Sequence, residues 1–257
     1  MSVRWLVAFI DRPASSFEAT AQFWLAVTGS TLSPRRGAYA EFATILPASG
    51  HSYLRVQRVA AGRGGSHLDL AVDDMTGTAG HARRLGAEVL RELDDVVVMR
   101  SPAGFVFCVV GHDGSAQRPL PVSLDGGARA IVDQLCIDIP PAEYENECTY
   151  WARLTGWTLH PGSRPEFSYL DRPDGIPLRI LLQRTNDAGD GRAHAHLDLA
   201  CDDTAATAIA HERLGARREG THEHWIAMRD PAGVPYCLTR RDPDTGRLPS
   251  GTSRPTA

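Results

Sequence analysis

The residues of this chain best suited to chemistry stand in two short alternating runs. His196-Leu-Asp198 and, upstream, His67-Leu-Asp69 each set an imidazole and a carboxylate two positions apart. Successive side chains of a β-strand point to opposite faces, so each pair shares a face, and His194 joins the second pair. A carboxylate beside an imidazole can orient it as a general base. The competing use is mutual satisfaction of two polar groups on a concave floor. Cys108 and Cys237 are the candidate nucleophiles, but no cation stands immediately beside either to favour the thiolate, so inert packing is the expectation. Asp73-Asp74 and Asp202-Asp203 resemble paired carboxylates, yet both precede helical stretches, where capping is the expected work. Arg100 and Arg229 precede turns and are read as pairing with them. Trp24 and Trp151 are read as core, and His222-Glu-His224 as a solvated turn or a surface metal site.

Composition narrows the field. All 27 Lys-plus-Arg residues are arginine, so Schiff-base catalysis and a P-loop lysine are excluded. The five cysteines form no Cys-x-x-Cys pair, which argues against a zinc knuckle or a redox dithiol. With 257 residues, 42% hydrophobic and 23% charged, the chain reads as globular and long enough for two ordinary domains. A net charge of −4 argues against nucleic acid as the partner. No apolar run approaches the ~20 residues of a membrane helix, and the first residues lack the pattern of a secretory signal. The expectation is a cytoplasmic protein with no membrane partner.

The elements that must position these residues come in a duplicated order. His67-Leu-Asp-Leu-Ala-Val-Asp-Asp74 returns as His196-Leu-Asp-Leu-Ala-Cys-Asp-Asp203, and a gapless shift of 129 positions gives 19 identities over the 44 residues 67–110. Residues 132–139 alternate as a strand, with Leu135, Ile137 and Ile139 on one face. Residues 143–154 read as a helix closed by Gly156, and three short strands follow near 157–160, 165–171 and 176–184. Residues 194–201 alternate strictly. Asp202-Asp203 can cap a helix running to Leu214, and two strands near 224–229 and 234–240 flank a turn at Asp230-Pro-Ala-Gly233. The upstream half follows the same course, with helices near 16–27 and 75–85. The expected order is strand, helix, three strands, twice in each half, with domains at 3–112 and 131–241. A breaker-rich linker at 113–130 and a flexible tail at 242–257 complete the chain.

This doubled β-α-β-β-β plan resembles the vicinal oxygen chelate superfamily, in its glyoxalase-like and bleomycin-resistance branch. The resemblance rests on Tyr150-Trp151 before Leu154-Thr-Gly-Trp157, Leu181-Leu-Gln-Arg184 before His196-Leu-Asp-Leu199, and Asp230-Pro-Ala-Gly233 before Cys237, each echoed upstream. It implies an α+β fold of two tandem domains, each built from two such modules curling into a cup. It also implies where a metal would be held. The first ligand falls near Gln134 or Val7, the second around Leu181–Gln183 or Gln57, and the third at His196 or His67. The last is a glutamate seven residues beyond the turn's first residue, and that count reaches Cys237 from Asp230 and Cys108 from Ser101.

With that carboxylate missing twice, the donors counted at these positions are too few for a divalent ion, and the expectation is no metal and no cofactor. Gln134, His194, His196 and Cys237, with His67, Asp69 and Cys108, are then expected to bind a small-molecule ligand. The leading expectation is a metal-free protein that sequesters an aromatic or antibiotic-like molecule, as monomer or homodimer. The alternative is an enzyme (lyase, isomerase or dioxygenase) using His196 with Asp198 or a bound divalent metal. A third reading keeps both cups as relics in a partner-binding protein.

Overall fold

A computed structural model describes residues 2–60, 62, 64–124, 126–186 and 191–248. The upstream half contains β1 (Val3–Pro13), α1 (Ala14–Val27), β2 (Thr31–Leu32), β3 (Phe42–Leu46) and β4 (Leu54–Val59). It continues with β5 (Gly65–Val72), α2 (Met75–Arg84), β6 (Glu88–Glu92), β7 (Val96–Arg100) and β8 (Val106–Gly111). After β9 (Val122–Ser123), the downstream half repeats the order. It runs β10 (Arg129–Ile139), α3 (Tyr144–Thr155), β11 (Leu159–Pro161), β12 (Phe167–Leu170) and β13 (Arg179–Arg184). It ends with β14 (His194–Cys201), α4 (Thr204–Arg213), β15 (Arg217–Thr221), β16 (Trp225–Arg229) and β17 (Pro235–Arg240). The α+β class and the two modules per half stand as expected.

Each half closes one curved sheet. The upstream order is β2-β3-β4-β1-β5-β8-β7-β6, and the downstream order β11-β12-β13-β10-β14-β17-β16-β15, with β9 pairing β10 at its start. The first strands of the two modules, β1 with β5 and β10 with β14, pair antiparallel at the centre of each sheet. That register sets the site, because it places Cys136 opposite His196 and Gln134 opposite Asp198.

Local sequence explains the element ends. Asp203 accepts hydrogen bonds from the Ala205 and Ala206 amides at 3.0 and 2.9 Å, and Asp74 from Gly77 at 2.9 Å, so both carboxylates cap helices as their position predicts. Gly156 ends α3 in the left-handed region at φ 73°, which a side chain would resist. One expectation was too shallow. Alternation in β10 suggests a half-buried strand, but residues 130–139 are buried throughout. Beyond a bulge at Asp133, Leu135, Ile137 and Ile139 join the core while Gln134, Cys136 and Asp138 face the cup, whose walls shelter them too; before it, Ala130 and Val132 are the core positions.

The halves share a core. Phe23 and Trp24 of α1 pack on Tyr236 of β17, with centroids 5.8 and 5.5 Å apart. Trp151 of α3 packs on Phe105 and Phe107 at 5.9 and 5.2 Å. Both tryptophans are thus core residues. No helix among the described residues is long and apolar enough to cross a membrane. Residues 242–248, read from the sequence as the start of a tail, are folded back and bonded. The Asp242 amide donates to Arg247 O at 2.9 Å, and Arg129 clasps the Asp244 carboxylate through two 2.8 Å bonds. The remainder of that tail lies outside the described residues.

Candidate functional site

Inward-facing residues of β10, β14 and β17 meet at the floor of the second cup, a cavity of about 590 Å³. His196 is its centre. Its Nδ1 lies 2.6 Å from Asp138 Oδ2, and its Nε2 faces Asp198 Oδ1 at 3.3 Å and Cys237 Sγ at 3.8 Å. Gln134 Nε2 donates to Asp198 Oδ2, which fixes the carboxylate and leaves Oδ1 turned inward. Asp198 Oδ1 is buried and accepts no hydrogen bond among the described residues. Cys136 closes the floor, its thiol donating to Gln183 Oε1 at 3.4 Å. His194 stands exposed at the rim, its Nε2 3.6 Å from Asp138 Oδ2.

The partner that hydrogen-bonds the imidazole is therefore Asp138, while Asp198 faces the other ring nitrogen. Asp138 was missed from sequence because it lies on a different strand. A signal existed: Asp11 and Asp138 occupy the same place on β1 and β10, each on the cup face. Burial opposes the charged imidazole of His196. Asp138, with Cys136 and Asp198, outweighs that and raises its pKa well above the ordinary value. Burial pushes the Cys136 and Cys237 thiols up, so neither is a ready thiolate.

An oxygen with no donor, facing a ring nitrogen whose other nitrogen is pinned by a carboxylate, fits a cation. Carboxylate–histidine pairs of this kind orient metal ligands. A ring nitrogen of His196, a carboxylate oxygen of Asp198 and Cys136 Sγ lie within 4.8 Å of one another. The mixed N, O, S set suits a borderline ion such as zinc better than magnesium.

The first cup, a cavity of about 950 Å³, keeps the skeleton but changes the floor. His67 Nδ1 lies 2.6 Å from Asp11 Oδ2, and His67, Asp69 and Cys108 again cluster within 4.8 Å. Phe9 stands where the second cup has Cys136 and stacks on His67 at 4.3 Å. Arg55 stands where it has Leu181, and its guanidinium lies 3.4 Å from Asp69 Oδ2. Val7 replaces Gln134. A fixed cation on the carboxylate and a ring on the imidazole make this floor the poorer metal site. Burial and neighbouring Asp69 push the Cys108 thiol up as well.

The other candidates lie away from the floors. Arg100 pairs with Glu88 at 2.9 Å, and Arg229 binds Glu219 and, at 2.7 Å, Gly233 O of its turn. His222 stacks on Trp225 at 4.4 Å, and His224 lies 3.6 Å from Glu223.

A doubled cup of four β-α-β-β-β modules, with site residues on its central strands, defines a protein of the vicinal oxygen chelate superfamily. A family model described as a glyoxalase-like domain matches residues 8–110 and again 134–239, and the chain belongs to that family. No curated protein sequence matches closely enough to count as a relative. Among solved structures, a Mn(II)-bound glyoxalase from Novosphingobium aromaticivorans is similar at 16% identity and TM-score 0.64, covering 98% of this chain and 89% of that one. The 2,2',3-trihydroxybiphenyl 1,2-dioxygenase of Sphingomonas wittichii is similar at 15% identity and TM-score 0.62, covering 96% and 95%. A variant of homoprotocatechuate 2,3-dioxygenase from B. fuscum is similar at 13% identity and TM-score 0.64, covering 96% and 74%.

These neighbours correct the leading expectation from sequence. Chains similar to this one across nearly its whole length include dioxygenases and a manganese-bound glyoxalase, which fits the enzyme alternative better than a metal-free sequestering protein. The last strand supplies no carboxylate to the floor, but Asp198 on β14, paired in register with Cys237, brings one there.

Proposed function

We propose that the second cup is the active site of a vicinal-oxygen-chelate enzyme, a lyase, isomerase or dioxygenase, that holds a divalent metal at His196, Asp198 and a floor cysteine. The single observation that supports it is the buried Asp198 Oδ1 with no donor, facing His196 Nε2. A divalent ion bound there supplies Lewis-acid polarisation of substrate oxygens. The chain's own residues do the rest. Asp138 holds the Nδ1 proton, so Nε2 is the nitrogen that would bind a metal, which would displace the proton there. Gln134 keeps the Asp198 carboxylate from rotating away. Phe167, Tyr169 and Trp225 line the walls and keep water from the floor. His194, at the rim, is placed to meet the substrate as it enters. The first cup, with Arg55 on Asp69, serves as scaffold.

Metal analysis of protein purified without chelator tests this reading. The expected result is about one divalent ion per chain, lost in His196→Ala and in Asp198→Asn and kept in His67→Ala. Protein that carries no ion and takes up none from added zinc, iron or manganese would overturn it.

A further inference from the structure

One end of the second cup is cationic, and nothing so far uses that charge. Asp133 on β10 is buried and faces three guanidinium groups: Arg118 at 3.2 Å, Arg172 at 3.4 Å and Arg179 at 3.2 Å. One carboxylate cannot neutralise three arginines. Arg241, just beyond β17, adds a fourth cation beside Arg179, and both line the cavity. Its Nη1 donates to Gly246 O at 3.0 Å, and it makes no ion pair among the described residues. Burial and Arg179 both act against its charge, with Asp133 and Asp198 only partly compensating. A cation partly removed from water without a paired anion is costly, and a ligand's anion would remove that cost.

The surrounding chain is built to hold Arg241 there. Residues 241–248 form a strap whose outer side is fixed by Arg129 on Asp244, and by Arg118 Nη1 donating to Asp244 O at 2.7 Å. Its inner side brings Gly246, Arg247 and Leu248 to the cavity. Gly246 has no room for a side chain. A Cβ there would meet Arg179 Nη2 at 2.7 Å and Asp133 Oδ2 at 2.9 Å, at a φ of +66° that side chains disfavour. The first cup has none of this. Tyr53 stands in the place of Arg179, its hydroxyl donating to Val132 O, and the 129-residue shift puts His112 in the place of Arg241. The walls between strap and floor are aromatic and apolar, with Phe167, Tyr169, Leu181 and Trp225.

We infer that Arg241 binds a carboxylate of the substrate, so that the second cup takes small aromatic carboxylic acids whose anionic group docks at the strap while the rest of the molecule reaches the His196 floor. This deepens the reading of the second cup as the active site and rests on it. A guanidinium recognises a carboxylate through paired, charge-assisted hydrogen bonds, so the neutral amide of the same acid loses most of that interaction.

The test is calorimetric binding of three acids (salicylate, phenylacetate and phenylpyruvate), each beside its primary amide, with no turnover required. The expected result is that at least one acid binds at least about tenfold more tightly than its amide, and that Arg241→Met abolishes the preference while Arg241→Lys keeps part of it. Arg241→Met is expected to melt no lower than the parent and to keep its metal content, since Arg241 makes no ion pair among the described residues and its unpaired charge is costly there. Equal binding of acids and amides, a preference that survives in Arg241→Met, or no binding by any acid at millimolar concentration would each overturn the inference. Failure of the active-site reading is separable. An Arg241-dependent acid preference in a protein that takes up no metal would leave the carboxylate site standing and remove the metal enzyme.

Discussion

His196 is held from both sides by acids, and the two do different work. Asp138 bonds Nδ1 at 2.6 Å, while Asp198 waits across Nε2 with an unsatisfied oxygen. Asp138→Asn keeps the shape but weakens the orienting bond, so metal affinity should fall by roughly ten- to a hundredfold, read by competition with a chelating dye. Unchanged affinity would mean that Asp138 only fills space. His211 gives a second prediction at this scale. Burial alone lowers its pKa to about 4, and its Nδ1 meets Tyr236 Oη at 2.9 Å in the core between the halves. Above the unfolded value of about 6.5 the residue is neutral in both states and contributes no pH dependence. As pH falls from there towards about 4, the unfolded chain binds the proton first, so stability is lost across that window, by about 3 kcal/mol in full. Urea midpoints near pH 7 and near pH 4.5 should differ less in His211→Gln than in the parent. An equal difference in both would remove His211 as the cause.

At the scale of elements, local periodicity carried most of the fold. Strict alternation over residues 194–201 gave β14 its bounds, and acid-then-apolar patterning placed the start of α4 at Asp203. Asp203→Ala removes the acceptor for two amides, so it should cost about 1 kcal/mol in urea unfolding, with no effect on metal content. A cost too small to measure would show that water replaces the cap. What stayed hidden was non-local. Cys136 and Asp138 reach the floor only because β10 pairs antiparallel with β14 in one register, and no window of sequence contains both strands. Arg241 escaped notice for a related reason. A segment rich in Pro, Gly and Thr reads as a tail until Arg118 and Arg129, more than a hundred residues upstream, are seen to grip Asp244. The repeat itself supplied the part of the site it duplicates, His67-Leu-Asp69 and His196-Leu-Asp198. It could not supply what differs between cups, namely Arg55 against Leu181 and Phe9 against Cys136.

At the scale of the whole molecule, the two halves are locked by a buried ion pair as well as by aromatic packing. Arg12 at the end of β1 donates through Nε at 3.1 Å, and through Nη2, to Asp230 Oδ2 in the last turn of the other half. The side chains are 3% and 0% exposed. Asp230 also accepts from the Ala232 and Val234 amides, at 2.9 and 3.0 Å, and lies 3.4 Å from Trp24 Nε1. Removing one partner of such a pair strands the other charge in a medium that solvates it poorly. Asp230→Ala should therefore destabilise the chain by about 3–5 kcal/mol. Replacing both charges is a different experiment, because an apolar pair leaves no stranded ion. Arg12→Met with Asp230→Asn keeps an acceptor for the turn amides while removing both charges, and should recover most of that loss. If the double variant is no more stable than Asp230→Ala, neither a stranded charge nor a lost turn acceptor explains the loss, and the Arg12–Asp230 pairing itself stabilises the chain. Full recovery would show that the loss lies in the stranded charge and the turn acceptor rather than in the pairing. In that case the orientation of the two cups is set by Phe23, Trp24 and Tyr236 on one side and Phe107 and Trp151 on the other.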